Sequence, residues 1–192
     1  RQYGAQSIEG KTLCVIGAGG IGREVARFGT GLGMRAVGTR THPELSAQDP
    51  LYDCVKGPDT LLELLAQSDF VAVCCQWTDD TTNLLNGEAF AAMRPGAIVV
   101  NVARGEIIDE AALLDALDAG QIRGAVLDVY VGEFDSLPPQ RLWQHPRVLI
   151  TPHTSAQTDH VRRRSTELFC RNLRGFLDGQ PLENQIDWAA GY

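Results

Sequence analysis

Apolar residues come in short runs along this chain, and each run ends at glycine or at a polar residue. Thr12–Ile16 is one such run, stopped by Gly17; Ala36–Thr39, Asp69–Cys75, Ala97–Asn101, Ile122–Val129 and Val148–Thr151 follow. Continuous apolar runs of this length read as strands buried on both faces. Between them the period lengthens. Ile21, Val25, Phe28 and Leu32 recur at helical spacing over 20–32, and Gly33 stops that helix. Leu61, Leu62, Leu64 and Leu65 mark a short helix over 59–67. Further helices are expected over 87–93, 109–119 and 158–177. Residues 41–57 read mostly as loop with a short strand near Cys54-Val55, residues 132–144 as a proline-containing loop, and residues 179–192 as a tail.

Strands alternating with helices imply parallel pairing through right-handed crossovers. The expected fold is a doubly wound parallel α/β sheet, a Rossmann-type three-layer α/β/α domain, whose ligands sit beyond the carboxyl ends of the strands. The division expected is a nucleotide-binding domain over 1–175 and, over 176–192, the tail of a second domain.

Composition narrows the partners. The chain has 192 residues, 44% hydrophobic and 21% charged, with a net charge of −7. An acidic chain has no electrostatic pull toward nucleic acid or an anionic membrane. Arg162-Arg163-Arg164 reads as a solvated helix face. No run approaches the ~20 apolar residues of a membrane helix. No leader is visible, so a cytoplasmic location is expected. Five cysteines without a Cys-x-x-Cys pair read as buried, reduced thiols, and no metal site is expected.

The stretch VIGAGGIGREVARFG contains Gly17-x-Gly19-x-x-Gly22 between a strand and a helix, as a dinucleotide-binding turn requires. Gly17 permits the tight turn, Gly19 the approach of a pyrophosphate, and Gly22 the packing of helix on strand. The helix N-terminus offers unpaired N–H groups to phosphates. An acid at the end of the second strand would grip a ribose 2′-hydroxyl. This chain has Thr39, Arg40 and Thr41 there instead. A guanidinium fork matches a 2′-phosphate, and a charged hydrogen bond of about 1.5–3 kcal/mol corresponds to a preference of roughly tenfold to a hundredfold. NADP is therefore the expected cofactor, with NAD possible.

Three more segments fall at strand ends: NVARGEIID with Arg104, LDVYVGEF with Asp128 and Glu133, and ITPHTSAQT with His153. They supply a cation for an anionic substrate, a proton donor suited to neutral pH and a carboxylate to orient it. These parts suit the reduction of a 2-keto acid, in which hydride reaches the carbonyl carbon and a proton the oxygen.

In that order, with SDFVAVCCQWTDDTTNLL, MRPGAIVVNVARGEIIDEAAL, GAVLDVY and PHTSAQT, the segments resemble the D-isomer-specific 2-hydroxyacid dehydrogenase family over nearly the whole chain. The resemblance implies that Arg104 binds substrate carboxylate and carbonyl, that His153 is the acid/base and that Glu133 is its partner. It implies that Asp128 contacts the nicotinamide carboxamide, and that Gly20, Ile21, Val102, Ala103 and Thr81 line the cofactor. It further implies a small 2-keto or 2-hydroxy acid of the glyoxylate or hydroxypyruvate type, and a homodimer. Three positions depart from the family pattern: Arg40 replaces the acid of NAD-dependent members, Gln76-Trp77 replaces Pro-Leu, and Phe134 follows Glu133 in place of Pro. Glu133 separates the chain from formate dehydrogenases, which carry Gln. A dinucleotide-sensing corepressor-like regulator and a phosphite-type dehydrogenase are the alternative readings. The family's N-terminal substrate-domain segment has no counterpart in this sequence, so the chain is expected to bind cofactor but to turn over poorly.

Overall fold

The computed structural model describes residues 5–186 and 188. It divides into two compact units, 1–152 and 153–192. The boundary lies ahead of the long C-terminal helix, whereas the sequence reading placed a boundary near that helix's end.

The first unit is built on seven strands: β1 (Thr12–Ile16), β2 (Arg35–Thr39), β3 (Cys54–Lys56), β4 (Phe70–Val73), β5 (Ala97–Asn101), β6 (Ile122–Leu127) and β7 (Val148–Ile150). All pair in parallel, in the order β3-β2-β1-β4-β5-β6-β7. The order reverses between β1 and β4, which is where a doubly wound sheet opens its ligand crevice. The helices are α1 (Gly20–Gly31), α2 (Leu61–Ala66), α3 (Gly87–Ala92), α4 (Glu110–Ala119) and α5 (Gln140–Trp143).

Side chains alternate across each strand, so the sheet feeds two cores. Leu13 and Val15 face one core with Ala18, Ala26, Ala36, Tyr52 and Ala72, against α1. Cys14 and Ile16 face the other, a larger cluster in which Leu64, Leu65, Phe90, Leu113 and Leu117 of α2, α3 and α4 pack on Val71, Val73 and Val99. Helix ends follow local chemistry. Asp109 caps α4 by accepting from Ala111 N and Ala112 N, and Gly120 closes it in the left-handed conformation at φ 75°. Asn86 caps α3 by accepting from Ala89 N.

Two expectations need correction. Residues 132–144 are not loop throughout: Gln140–Trp143 form α5. Pro139 sits at its N-terminal boundary, where a missing N–H costs nothing, and fully buried Leu142 anchors the turn. The cysteines are all free, but only Cys14 is buried; Cys54, Cys74, Cys75 and Cys170 are half-buried. β4 ends at Val73, so Cys74 and Cys75, which the sequence placed within that strand, stand just beyond its carboxyl end.

The second unit carries α6 (Val161–Leu177). Arg162, Arg163 and Arg164 are exposed along it, as the sequence suggested. A short return segment is tied to the helix by Arg171, which donates to both carboxylate oxygens of Glu183 at 2.8 and 3.1 Å, and by Asn172, which exchanges hydrogen bonds with the Glu183 backbone. Among the described residues, no helix is long and apolar enough to cross a membrane.

Candidate dinucleotide and substrate site

Because every strand runs the same way, the segments following β1, β2, β4, β5 and β6 share one edge of the sheet. The glycine turn follows β1. Gly17 adopts φ 95°, and a Cβ there would stand 2.6 Å from the Cys75 backbone. Both facts exclude a larger residue. A Cβ on Gly22 would meet the Gly17 carbonyl at 2.2 Å and Val15 Cγ1 at 2.7 Å, so α1 reaches the strand only because Gly22 has no side chain. Gly19 and Gly20 differ: a Cβ on either would meet nothing within 4 Å. They line an open approach to the N-terminus of α1. No side chain caps this terminus and no acid lies in its first turn. The first-turn N–H groups of an α-helix lack intrahelical partners, so the turn fits a pyrophosphate. Ile21, 62% exposed, faces outward beside it.

The segment after β2 is stitched to this turn. The Thr39 carbonyl accepts from Gly17 N at 3.0 Å and Ala18 N at 2.9 Å, while Arg40 N donates to the Lys56 carbonyl at 3.0 Å. The Arg40 side chain is half-buried and folds back. Its Nη1 donates to Ser46 Oγ at 2.8 Å and to the Ala18 carbonyl at 3.3 Å. Thr39 is buried, and Thr41 is exposed.

After β4, Cys74 and Cys75 lead into the loop that holds Thr81. Burial pushes their thiols up to about 12 and about 11, and Cys14 up to about 12, so none is a thiolate at neutral pH. Thr81 serves the loop itself. Its hydroxyl accepts from Thr78 N at 2.8 Å and donates to the Gln76 carbonyl at 2.8 Å. Trp77 Nε1 donates to Thr82 Oγ1 at 2.9 Å, which fixes the indole on the same loop.

After β5, half-buried Val102 and buried Ala103 lead to Arg104. Two features hold this turn. Asn101, 1% exposed, donates from Nδ2 to the Arg104 carbonyl at 2.8 Å and accepts at Oδ1 from Ala103 N at 3.0 Å. Gly105 lies so close to the next segment that a Cβ would stand 2.2 Å from the Tyr130 carbonyl carbon and 2.4 Å from Val131 N. The Arg104 side chain is exposed, with Nη1 donating to the Ala103 carbonyl at 2.6 Å.

After β6, Asp128 is buried and accepts a short hydrogen bond from the Thr151 hydroxyl. The loop beyond is braced from α4. Val131 N donates to Glu110 Oε1 at 2.8 Å, and Tyr130 Oη donates to the Ser136 carbonyl at 2.8 Å. Burial raises the Glu110 carboxyl, partly offset by the Val131 N–H. Glu133 sits half-buried in the tight turn that starts at Gly132, φ 75°. His153 is the first residue of the second unit and adopts φ 50°. A non-glycine residue in the left-handed region is uncommon, and such residues gather at functional sites.

Arg40 and Arg104 thus share a construction. Each spends Nη1 on a backbone carbonyl, and among the described residues neither has a carboxylate partner. Each keeps its Nε–Nη2 edge, the edge that grips an anion in bidentate fashion.

The model of the family "D-isomer specific 2-hydroxyacid dehydrogenase, NAD binding domain" matches residues 1–155. The chain belongs to this family. It is 36% identical over 173 residues to a glyoxylate reductase of Thermococcus gammatolerans, covering 90% of this chain and 50% of that protein. It is 36% identical over 182 residues to a D-3-phosphoglycerate dehydrogenase of Arabidopsis thaliana, covering 93% of this chain and 28% of that one. Among solved structures, it resembles a D-isomer specific 2-hydroxyacid dehydrogenase of Xanthobacter autotrophicus in complex with NADPH and MES. The TM-score is 0.87 at 31% identity, over 100% of this chain and 59% of that one. The chain spans half or less of the length of these two curated relatives.

Sequence reasoning missed Asn101, Ser46 and Glu110. The first left a trace, a polar residue closing the apolar run AIVVN. Ser46 and Glu110 look like ordinary loop and helix residues until the chain is folded.

Proposed function

We propose that the protein is an NADP-preferring oxidoreductase that interconverts a small 2-keto acid, of the glyoxylate or hydroxypyruvate type, and its 2-hydroxy acid. The observation that carries this reading is the pair of strand-end arginines without carboxylate partners, on the same edge as an uncapped helix N-terminus. One suits a phosphate beside the glycine turn, the other an anionic substrate. The NADPH-bound relative supports the cofactor assignment, and the glyoxylate reductases support the substrate class.

In this reading residues 1–175 form the dinucleotide-binding domain and residues 176–192 belong to a substrate domain. Gly17, Gly19, Gly20, Ile21 and Gly22 receive the pyrophosphate, and Arg40 receives the 2′-phosphate. Val102, Ala103, Asp128 and the Thr81 loop surround the nicotinamide half. When bound, the reduced nicotinamide supplies hydride to the carbonyl carbon. Arg104 grips the substrate carboxylate through its Nε–Nη2 edge and draws electron density toward the carbonyl oxygen. His153 is the acid/base that delivers the proton to that oxygen, and Glu133 is assigned as its partner. The protein works as a homodimer in a cytoplasmic setting.

The test has two parts. Nicotinamide fluorescence on titration with NADPH and NADH is expected to show NADPH bound about tenfold more tightly or better. Oxidation of NADPH by the full-length protein with glyoxylate, hydroxypyruvate and larger 2-keto acids is expected to favour the small ones. Tight NADPH binding with no turnover of any keto acid by the full-length protein would overturn the enzymatic reading in favour of a dinucleotide-sensing regulator. Turnover confined to phosphite and NADP would overturn the substrate class.

A further inference from the structure

We propose that Ser46 is a specificity-determining residue, which positions the Arg40 guanidinium so that its Nε–Nη2 edge is held ready for the 2′-phosphate of NADP. The inference rests on the cofactor reading above and adds the device that makes it work.

Ser46 is 8% exposed in a segment that is otherwise largely polar and solvated, and it is the last residue of a short helical turn begun by Pro43. Its hydroxyl has two engagements. It accepts from Arg40 Nη1 at 2.8 Å and donates to the Ala18 carbonyl at 3.2 Å. Arg40 Nη1 also reaches the Ala18 carbonyl, at 3.3 Å. Ala18 lies inside the glycine turn, between Gly17 and Gly19. Arg40, Ser46 and Ala18 therefore close a triangle that ties the guanidinium to the turn.

Donor accounting shows what this achieves. A guanidinium has five N–H donors. Both Nη1 donors are engaged by the triangle. The remaining three, on Nε and Nη2, have no partner among the described residues, and no carboxylate pairs with Arg40. Its neighbours behave differently: Arg23 is paired with Asp49 at 2.6 Å and Arg35 with Asp53 at 2.5 Å. A free arginine pays side-chain entropy when it grips an anion. Arg40 has been restrained before the anion arrives, and preorganisation of this kind raises affinity by lowering the cost of binding. NADH has no 2′-phosphate, so the gain falls on NADPH alone.

The experiment titrates the wild-type chain and the variants Ser46→Ala, Ser46→Thr and Arg40→Ala with NADPH and NADH, following nicotinamide fluorescence. The wild type is expected to favour NADPH by about tenfold or more. Ser46→Ala is expected to reduce that ratio by about three- to tenfold, through weaker NADPH binding and with NADH binding unchanged within about twofold. Ser46→Thr keeps a hydroxyl and is expected to retain most of the ratio. Arg40→Ala is expected to abolish the ratio. An unchanged ratio in Ser46→Ala, while Arg40→Ala loses it, would overturn the role of Ser46 and leave the cofactor reading standing. Equal loss of NADPH and NADH binding in Ser46→Ala would also overturn it, because the residue would then be supporting the turn in general. A wild type without preference would overturn both.

Discussion

The arginines that flank the parallel sheet are held in two different ways. At the amino end, cations are neutralised. Asp69, just ahead of β4, accepts from Thr12 N at 2.9 Å and pairs with Lys11 and Arg94, each at 3.3 Å. Arg35, which opens β2, pairs with Asp53. At the carboxyl end, Arg40 and Arg104 are tied to backbone carbonyls and, among the described residues, have no carboxylate partner. An ion pair completed within the protein helps hold strands together, whereas an arginine held without its anion is poised for a ligand. The difference separates arginines that complete ion pairs within the protein from the two that the proposed function assigns to ligands, in a chain of net negative charge.

The comparison can be broken by substitution. The largest effect is expected at Arg104. Under the proposed function, its replacement by Ala in the full-length protein should lower kcat/KM for the 2-keto acid by about 10²–10³-fold, as for loss of a donor to a developing oxyanion. Its side chain is exposed, so the denaturation midpoint should hardly move. A loss of stability matching the loss of activity would place Arg104 with the structural arginines instead.

Gly105→Ala should follow, with the opposite signature. The new Cβ would be forced against the Tyr130–Val131 backbone, and such overpacking costs about 1–3 kcal/mol. Urea denaturation would read this directly. Asn101→Ala sits between the two. It strips the buried Ala103 N–H of its partner and leaves the Arg104 carbonyl with only the Ile107 N–H at 3.4 Å, at about 1–3 kcal/mol. It should also raise KM for the keto acid while leaving NADPH affinity intact. An unaltered KM would show that Arg104 is positioned without it.

The smallest effect belongs to the amino end. Asp69→Asn should cost about 1 kcal/mol and leave both NADPH affinity and turnover unchanged. Its pH dependence sharpens the test. Burial alone would raise the Asp69 carboxyl, but the Thr12 N–H, Lys11 and Arg94 outweigh it and hold the carboxyl below its ordinary range. Its contribution is therefore present in full above the unfolded value near ~4 and is lost as pH falls through the lower folded value. In that window the unfolded chain binds the proton first, so wild-type stability should drop with acid more steeply than that of Asp69→Asn. Parallel acid limbs for the two proteins would remove Asp69 from the account.

Much of this was legible in the chain. The apolar runs located six of the seven strands, because a mostly buried parallel strand cannot hide its composition, while half-buried β3 was expected only as a short strand near Cys54-Val55 within a loop. The glycine turn was legible because Gly17 and Gly22 are irreplaceable for steric reasons that any sequence must respect. Arg40 and Arg104 stood out because a strand end is where this fold presents side chains to a ligand.

Other features lay beyond the sequence because they depend on contacts between residues distant in the chain. Nothing local distinguishes Ser46 from any loop serine; it acquires meaning only when Ala18, 28 residues away, is brought beneath it. Glu110 looks like the first acid of a helix until the segment after β6 lays Val131 N against it, 21 residues on. The short helix at Gln140–Trp143 forms because Leu142 finds a fully buried seat, which no local propensity announces. Periodicity and steric necessity are properties of neighbours along the chain, and they determined the sheet, the turn and the arginines at its edge. Which polar atoms meet, and so which arginine pairs with a carboxylate and which with a backbone carbonyl, was decided only when the tertiary fold closed those long loops.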